Sequence, residues 1–258
     1  MKKIIINILF IAFLFTAQIT AQSVEQLIKE GDSYYEKFNN EKALEFYKKA
    51  EKNDPNNYEI LWKISRAYVD IGEHMPSNTS EEKDAQLSVY QKALEYAEKS
   101  IKAAPDKSVT YLRRAIANGR IALFKGVFSV AGVVNSVKAD LEKAIQLNNG
   151  GNEIQAVAHY VLARTHAKTS EKWKPARSVL GLGWADNEIA LKEYKKAVEL
   201  KPNYVMFYVD YAISLMREKD YKTAKAMLQK AIDSPIEDED DEVRKDEAKK
   251  LLKEIESK

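Results

Sequence analysis

Few side chains in this sequence are of a type and spacing that do chemistry. Its three histidines are His74, His159 and His166. The last two, seven apart, share a helix face two turns from each other, wider than the spacing of a helical H-E-x-x-H zinc site. The chain has no cysteine, which removes thiolate nucleophiles, thiolate zinc sites and iron–sulfur clusters. Gly181-Leu182-Gly183 lacks the phosphate-loop fingerprint and a preceding strand. Ser129, between Gly126 and Gly132, is not in a G-x-S-x-G elbow. Carboxylates are plentiful but alternate with lysines along helical faces, as solvated surfaces do. The acidic run Glu237–Glu242 lacks the glycine and spacing of a calcium loop and reads as a solvated helix start. No catalytic residue, metal site or cofactor is therefore expected. What remains are side chains suited to binding: Tyr35, Trp62, Arg66, Arg120, Tyr160, Arg164 and Lys168.

The elements that position them are helices. Apolar residues recur at three and four, proline and glycine are scarce, and 45% hydrophobic with 31% charged residues describes a globular chain. Gly31, Tyr34, Ala43, Tyr47, Ala50 and Pro55 stand at offsets 0, 3, 12, 16, 19 and 24, and Ala212, Leu215, Ala224, Leu228 and Ala231 repeat the first five. A small residue on the first helix lets the second cross closely, an aromatic or leucine one turn on fills the gap, and proline stops the second helix. The pattern resembles the tetratricopeptide repeat, a helix-turn-helix unit of roughly 34 residues.

Three further units keep the second helix and interrupt the turn. Tyr68 pairs with Ala93, Ala97 and Ser100 after an insert around 73–86. Tyr111 to Asn118 pairs with Val137, Leu141 and Ala144, and His159 to His166 with Ala190, Tyr194 and Ala197. The expectation is an all-α tetratricopeptide-repeat solenoid over residues 22–258, with about five repeats, insertions in the inner ones, and a C-terminal capping helix carrying Val243, Ala248, Leu251 and Ile255. The segments from Lys92, Ala158 and Ala190, closing in Ala231-Ile232-Asp233-Ser234-Pro235 and an acidic run, are similar to the regulator of microtubule dynamics family, which has secreted bacterial members. A second similarity, to the helical-repeat T components associated with TRAP transporters, is opposed by the missing lipoprotein cysteine.

Aligned repeats send the binding candidates to the concave side, together with Leu112, Ile116, Val209, Ile213 and Arg217. Aromatic and aliphatic groups there offer apolar area, and the cations offer hydrogen bonds to carboxylate or phosphate. The alternative is that several are inter-repeat core. The carboxylate clamp for chaperone tails is unsupported, because Ile28 and Asp32 stand at its Lys and Asn positions. The segment 121–137, with a single charge at Lys125, is too short to span a membrane. It reads as a packed helix, or as an apolar wall of Leu123, Phe124, Val127 and Phe128 beside the basic groove. Two binding functions follow: a periplasmic or secreted scaffold holding a peptide or protein on its concave face, or a carrier of a lipid or small amphipathic anion. Nucleic acid is not expected, since charge is nearly balanced at +2.

Residues 1–21 have the basic start, apolar stretch and small final residue, Ala21, of a signal peptide. If retained they would anchor the chain, the one membrane contact expected. Without them 39 basic residues face 39 acidic ones, distributed as −4 over 22–105, +7 over 106–201 and −3 over 202–258.

Overall fold

A computed structural model describes residues 22–126 and 128–258. The expected signal segment 1–21, and Val127, lie outside the described residues. The helices pair in chain order: α1 (Val24–Tyr35) with α2 (Asn40–Asn53), α3 (Tyr58–His74) with α4 (Ser80–Ala103), and α5 (Ser108–Lys125) with α6 (Ala131–Leu147). Then α7 (Gly151–Ser170) pairs with α9 (Asn187–Leu200) around the short α8 (Lys174–Val179), and α10 (Val205–Arg217) pairs with α11 (Tyr221–Asp233). A last helix, α12 (Asp241–Glu254), packs on α10 and α11. This is the all-α solenoid of five hairpins and a cap.

Local chemistry sets the helix starts. Ser23 with Gln26 and Thr79 with Glu82 form capping boxes, while Asn39, Asn57, Asp186 and Asp220 accept from first-turn amides. The hairpin cores repeat one contact. A Cβ on Gly31 would lie 2.4 Å from Tyr47 Cε1, and the Tyr47 ring is held by its hydroxyl donating to Asp32 at 2.7 Å. Gly31→Ala is expected to destabilise by about 1–3 kcal/mol through overpacking, less the gain in helix propensity. Gly119→Ala, with nothing within 4 Å of its Cβ, should stabilise by about 0.5–1 kcal/mol. Equilibrium urea unfolding of both variants checks the opposite signs. The two compact hairpins also turn alike, Phe38 and Lys219 both being left-handed at φ 60° and 61°.

The interrupted repeats differ from expectation in two places. Half of the insert around 73–86 is absorbed into α4, which begins at Ser80 and lengthens the second helix. The segment 121–137 is not one buried helix: α5 ends at Lys125, Gly126 adopts φ 86°, and α6 begins at Ala131. Ile121, Ala122, Val134 and Val137 are buried, but Leu123 and Phe128 at the turn are 50% and 41% exposed. The glycine breaks the helix because it alone adopts that backbone without strain. The cap does cover the last repeat, placing Ala248 and Ile255 fully buried against α10 and α11.

Candidate ligand-binding pocket on the concave face

The first helices of the hairpins line the inner face, and between them lies a cavity of about 230 Å³. Tyr35 and Arg66 come from α1 and α3, Arg120 from α5, and Tyr160, Arg164 and Lys168 from α7, so six of the seven groove candidates line it. Trp62 does not. It faces a neighbouring recess with Tyr58 and Val109, and the cations of Arg66 and Arg113 lie 5.0 and 5.2 Å from its ring centre. Of the apolar insert, Leu123 reaches the pocket and Phe124 and Phe128 do not; the wall is made instead by Val69, Val134, Val137, Val157 and Val161. Leu112 and Val209 are fully buried core. Arg217 joins the fourth and fifth hairpins, donating to the Ala167 carbonyl and to Asn187 Oδ1 at 3.0 Å each. His166 is core too, 3% exposed, taking the Asp186 amide proton on Nδ1 at 3.3 Å.

The pocket is built around guanidiniums. Arg66 stacks on Tyr35, its Cζ 3.4 Å from the ring centre. Arg120 meets Glu73. Arg164 lies 3.6 Å from Asp210, which accepts the Tyr160 hydroxyl at 2.7 Å, and Tyr160 stacks on Phe207 with centres 4.5 Å apart. A fourth guanidinium, Arg113, also lines the wall. Burial, with Arg164 and Arg244 nearby, lowers Arg120 to about 10; burial and Arg66 lower Arg113. These cations are held charged at a cost, a condition an incoming anion relieves. Burial raises Asp70 and carries Tyr35 up to about 12. Among the described residues, Nε of Arg66, Arg113 and Arg164 is buried without a hydrogen-bond partner, as is Asp70 Oδ2.

The acidic run is a solvated helix start only in part: Glu237, Glu239 and Glu242 are exposed, and Asp241 and Glu242 open α12. Asp241 is 1% exposed and its Oδ2 accepts the amides of Glu237 and Asp238, each at 2.8 Å. That turn carries the run across the concave side. Asp238 accepts the Tyr204 hydroxyl at 2.6 Å, Glu239 accepts from Asn40 Nδ2 at 3.3 Å, and Asp240 lies 3.4 Å from His74 Nε2. The loop before the cap thus straps the fifth hairpin to the first and second, and Asp238 and Asp240 line the pocket. Burial works against charge on His74, but the Asp70 carbonyl, Glu239 and Asp240 outweigh it and raise its pKa above 6.5. A raised histidine contributes stability that is complete below its unfolded-state pKa and is lost as pH rises through the folded one. The stability lost in His74→Gln should therefore be largest just above the carboxylate range and disappear at alkaline pH. Urea unfolding across pH measures this, and a pH-independent difference would contradict it.

Arg113, Asp70 and the strap are the parts of the site that sequence reasoning missed. Asp70 had a signal, since it continues the Trp62–Arg66 stripe at four-residue spacing. Arg113 is masked by its neighbour Arg114, which turns away to make a two-point pair with Asp140 at 2.8 and 2.6 Å. The strap had no local signal.

Helix hairpins stacked around an inner pocket lined by arginines and carboxylates define a tetratricopeptide-repeat solenoid. The fold is that of a thermophilic tetratricopeptide repeat protein of Thermus thermophilus, with TM-score 0.61 and 18% identity over 89% of this chain and 100% of that one. The chain belongs to the regulator of microtubule dynamics family: the family model described as Regulator of microtubule dynamics protein 1-3 matches residues 27–256. It is similar to Regulator of microtubule dynamics protein 1 of Bos taurus, 27% identical over 241 residues, covering 89% of this chain and 71% of that protein. The protein of the same name in Mus musculus is 28% identical over 239 residues, covering 89% and 74%.

Proposed function

We propose that this protein is a non-enzymatic binding scaffold that takes an acidic segment of a peptide or protein partner into its concave pocket. The observation carrying this reading is the convergence of Arg66, Arg113, Arg120 and Arg164 on one cavity, three of them with an unpartnered Nε–H. Planar, bidentate guanidiniums recognise carboxylates, so binding is the chemistry that the pocket's own side chains offer. The test is an array of short acidic, neutral and basic peptides probed with the full chain. Preference for acidic peptides, lost in Arg113→Met and Arg120→Ala, supports the reading; binding indifferent to peptide charge overturns it.

A second reading, a carrier of a lipid or small amphipathic anion, is favoured by the five valines that line the same cavity as the guanidiniums. Native mass spectrometry of protein purified from its own cells distinguishes the two, because a carrier retains a small anionic molecule. We place the protein in the periplasm or outside the cell, on the basic and apolar pattern of residues 1–21. Fractionation with N-terminal sequencing starting at Gln22 supports this, and a retained Met1 in the soluble cytoplasm overturns it. The microtubule role in the relatives' name does not suit an exported chain, so only a binding role is carried over.

A further inference from the structure

Five of the nine large apolar side chains exposed among the described residues fall in two short segments. Leu123 and Phe128 flank the α5–α6 turn, and Trp173, Val179 and Leu180 lie around α8, with Trp173 73% and Val179 88% exposed. The two segments are joined. Leu182, just beyond α8, is fully buried against Ala122 and Val134, and Trp184 Nε1 donates to Asn135 Oδ1 at 2.7 Å. Arg177 holds the α8 hook in shape by donating to the carbonyls of Lys172 and Ala185 at 2.9 and 2.7 Å. The apolar tips are thus presented outward by a hook with its own buried polar fastening.

Their surroundings are basic. Lys125, Lys172 and Lys174 are exposed in the same segments. The one carboxylate among them, Glu171, is turned toward Lys168 and Arg217, at 3.4 and 3.8 Å. We propose that this paired surface docks the protein on an anionic lipid bilayer. Protruding Trp, Val, Leu and Phe insert at the headgroup boundary while the lysines meet lipid phosphates. Lysine is depleted at the cores of protein–protein interfaces, so a lysine-flanked apolar tip fits a lipid surface better than a second protein. The contact is interfacial, since no helix among the described residues is long and apolar enough to cross a membrane. Leu123 belongs both to this surface and to the pocket lining, so docking would set the pocket mouth beside the bilayer.

The experiment is flotation of the full chain lacking residues 1–21 with vesicles of phosphatidylcholine alone or with added phosphatidylglycerol. Binding is expected on the anionic vesicles. It should fall by ~10-fold or more in Trp173→Ser/Val179→Ser, and by ~5-fold for each of Lys125→Gln, Lys172→Gln and Lys174→Gln. These side chains are exposed, so thermal unfolding of the variants should match that of the parent. No flotation with anionic vesicles overturns the proposal, as does equal flotation of parent and Trp173→Ser/Val179→Ser. A patch that instead joins two copies, seen as a dimer that the same double variant dissolves while vesicles go unbound, also overturns it. Because the peptide array reads the pocket and flotation reads the hook, either reading can fail alone.

Discussion

Asp210→Ala is expected to be among the most destabilising single changes in the protein, at about 3–5 kcal/mol. Asp210 is 8% exposed. It accepts the Tyr160 hydroxyl at 2.7 Å and lies 3.6 Å from Arg164 Nε. The Tyr160 oxygen and then Asp210 hold the Arg164 guanidinium firmly protonated against the cost of burying it. Removing the carboxylate leaves the part-buried Arg164 cation without its counter-charge and the buried Tyr160 hydroxyl without its acceptor, and both side chains line the pocket. Asp210→Asn keeps an acceptor for Tyr160 and should lose less than the alanine variant. Guanidinium chloride unfolding reads both; an alanine variant within about 1 kcal/mol of the parent would show that the pair carries no weight (a surface-pair result).

Arg113→Met is expected to act in the opposite direction on stability and, like Arg120→Ala, strongly on binding. Their pKa values are lowered, Arg120 to about 10, which means the fold disfavours these charges. Replacing Arg113 by an apolar side chain of similar length should leave the protein equally stable or more stable, by on the order of 1 kcal/mol. Affinity for an acidic peptide should nevertheless fall by roughly 30-fold or more, the loss typical of truncating one partner of a desolvated charge pair. Arg120→Lys should recover only part of that affinity, since an ammonium cannot reproduce the two-point fork. Calorimetric titration beside thermal melts separates the effects. Loss of stability together with loss of binding would mean that these arginines are structural.

The repeat register was legible because it is written in side-chain size. Gly31 and Tyr47, or Ala212 and Leu228, recur at the same offset, and each small residue stands where two helices cross. The same register carried Tyr35, Arg66, Arg120, Tyr160, Arg164 and Lys168 to one face. It failed for Trp62, which the α3 stripe turns into the next recess, and for the turn at Gly126, where apolar composition outweighed a glycine's backbone freedom.

The acidic strap shows the other kind of limit. Glu237–Asp241 has the composition of a solvated run, and alone it would be one. It becomes part of the pocket because the curvature accumulated over the hairpins brings it to Asn40 and His74, 199 and 166 residues away. The periodicity of small and large residues determined the helices, their pairing and which residues turn to the inner face, since those depend on neighbours within a repeat. Which arginines share a cavity, and what closes over them, was decided by the tertiary structure alone, because superhelical curvature is a sum over all the hairpin contacts and no local stretch of residues encodes it.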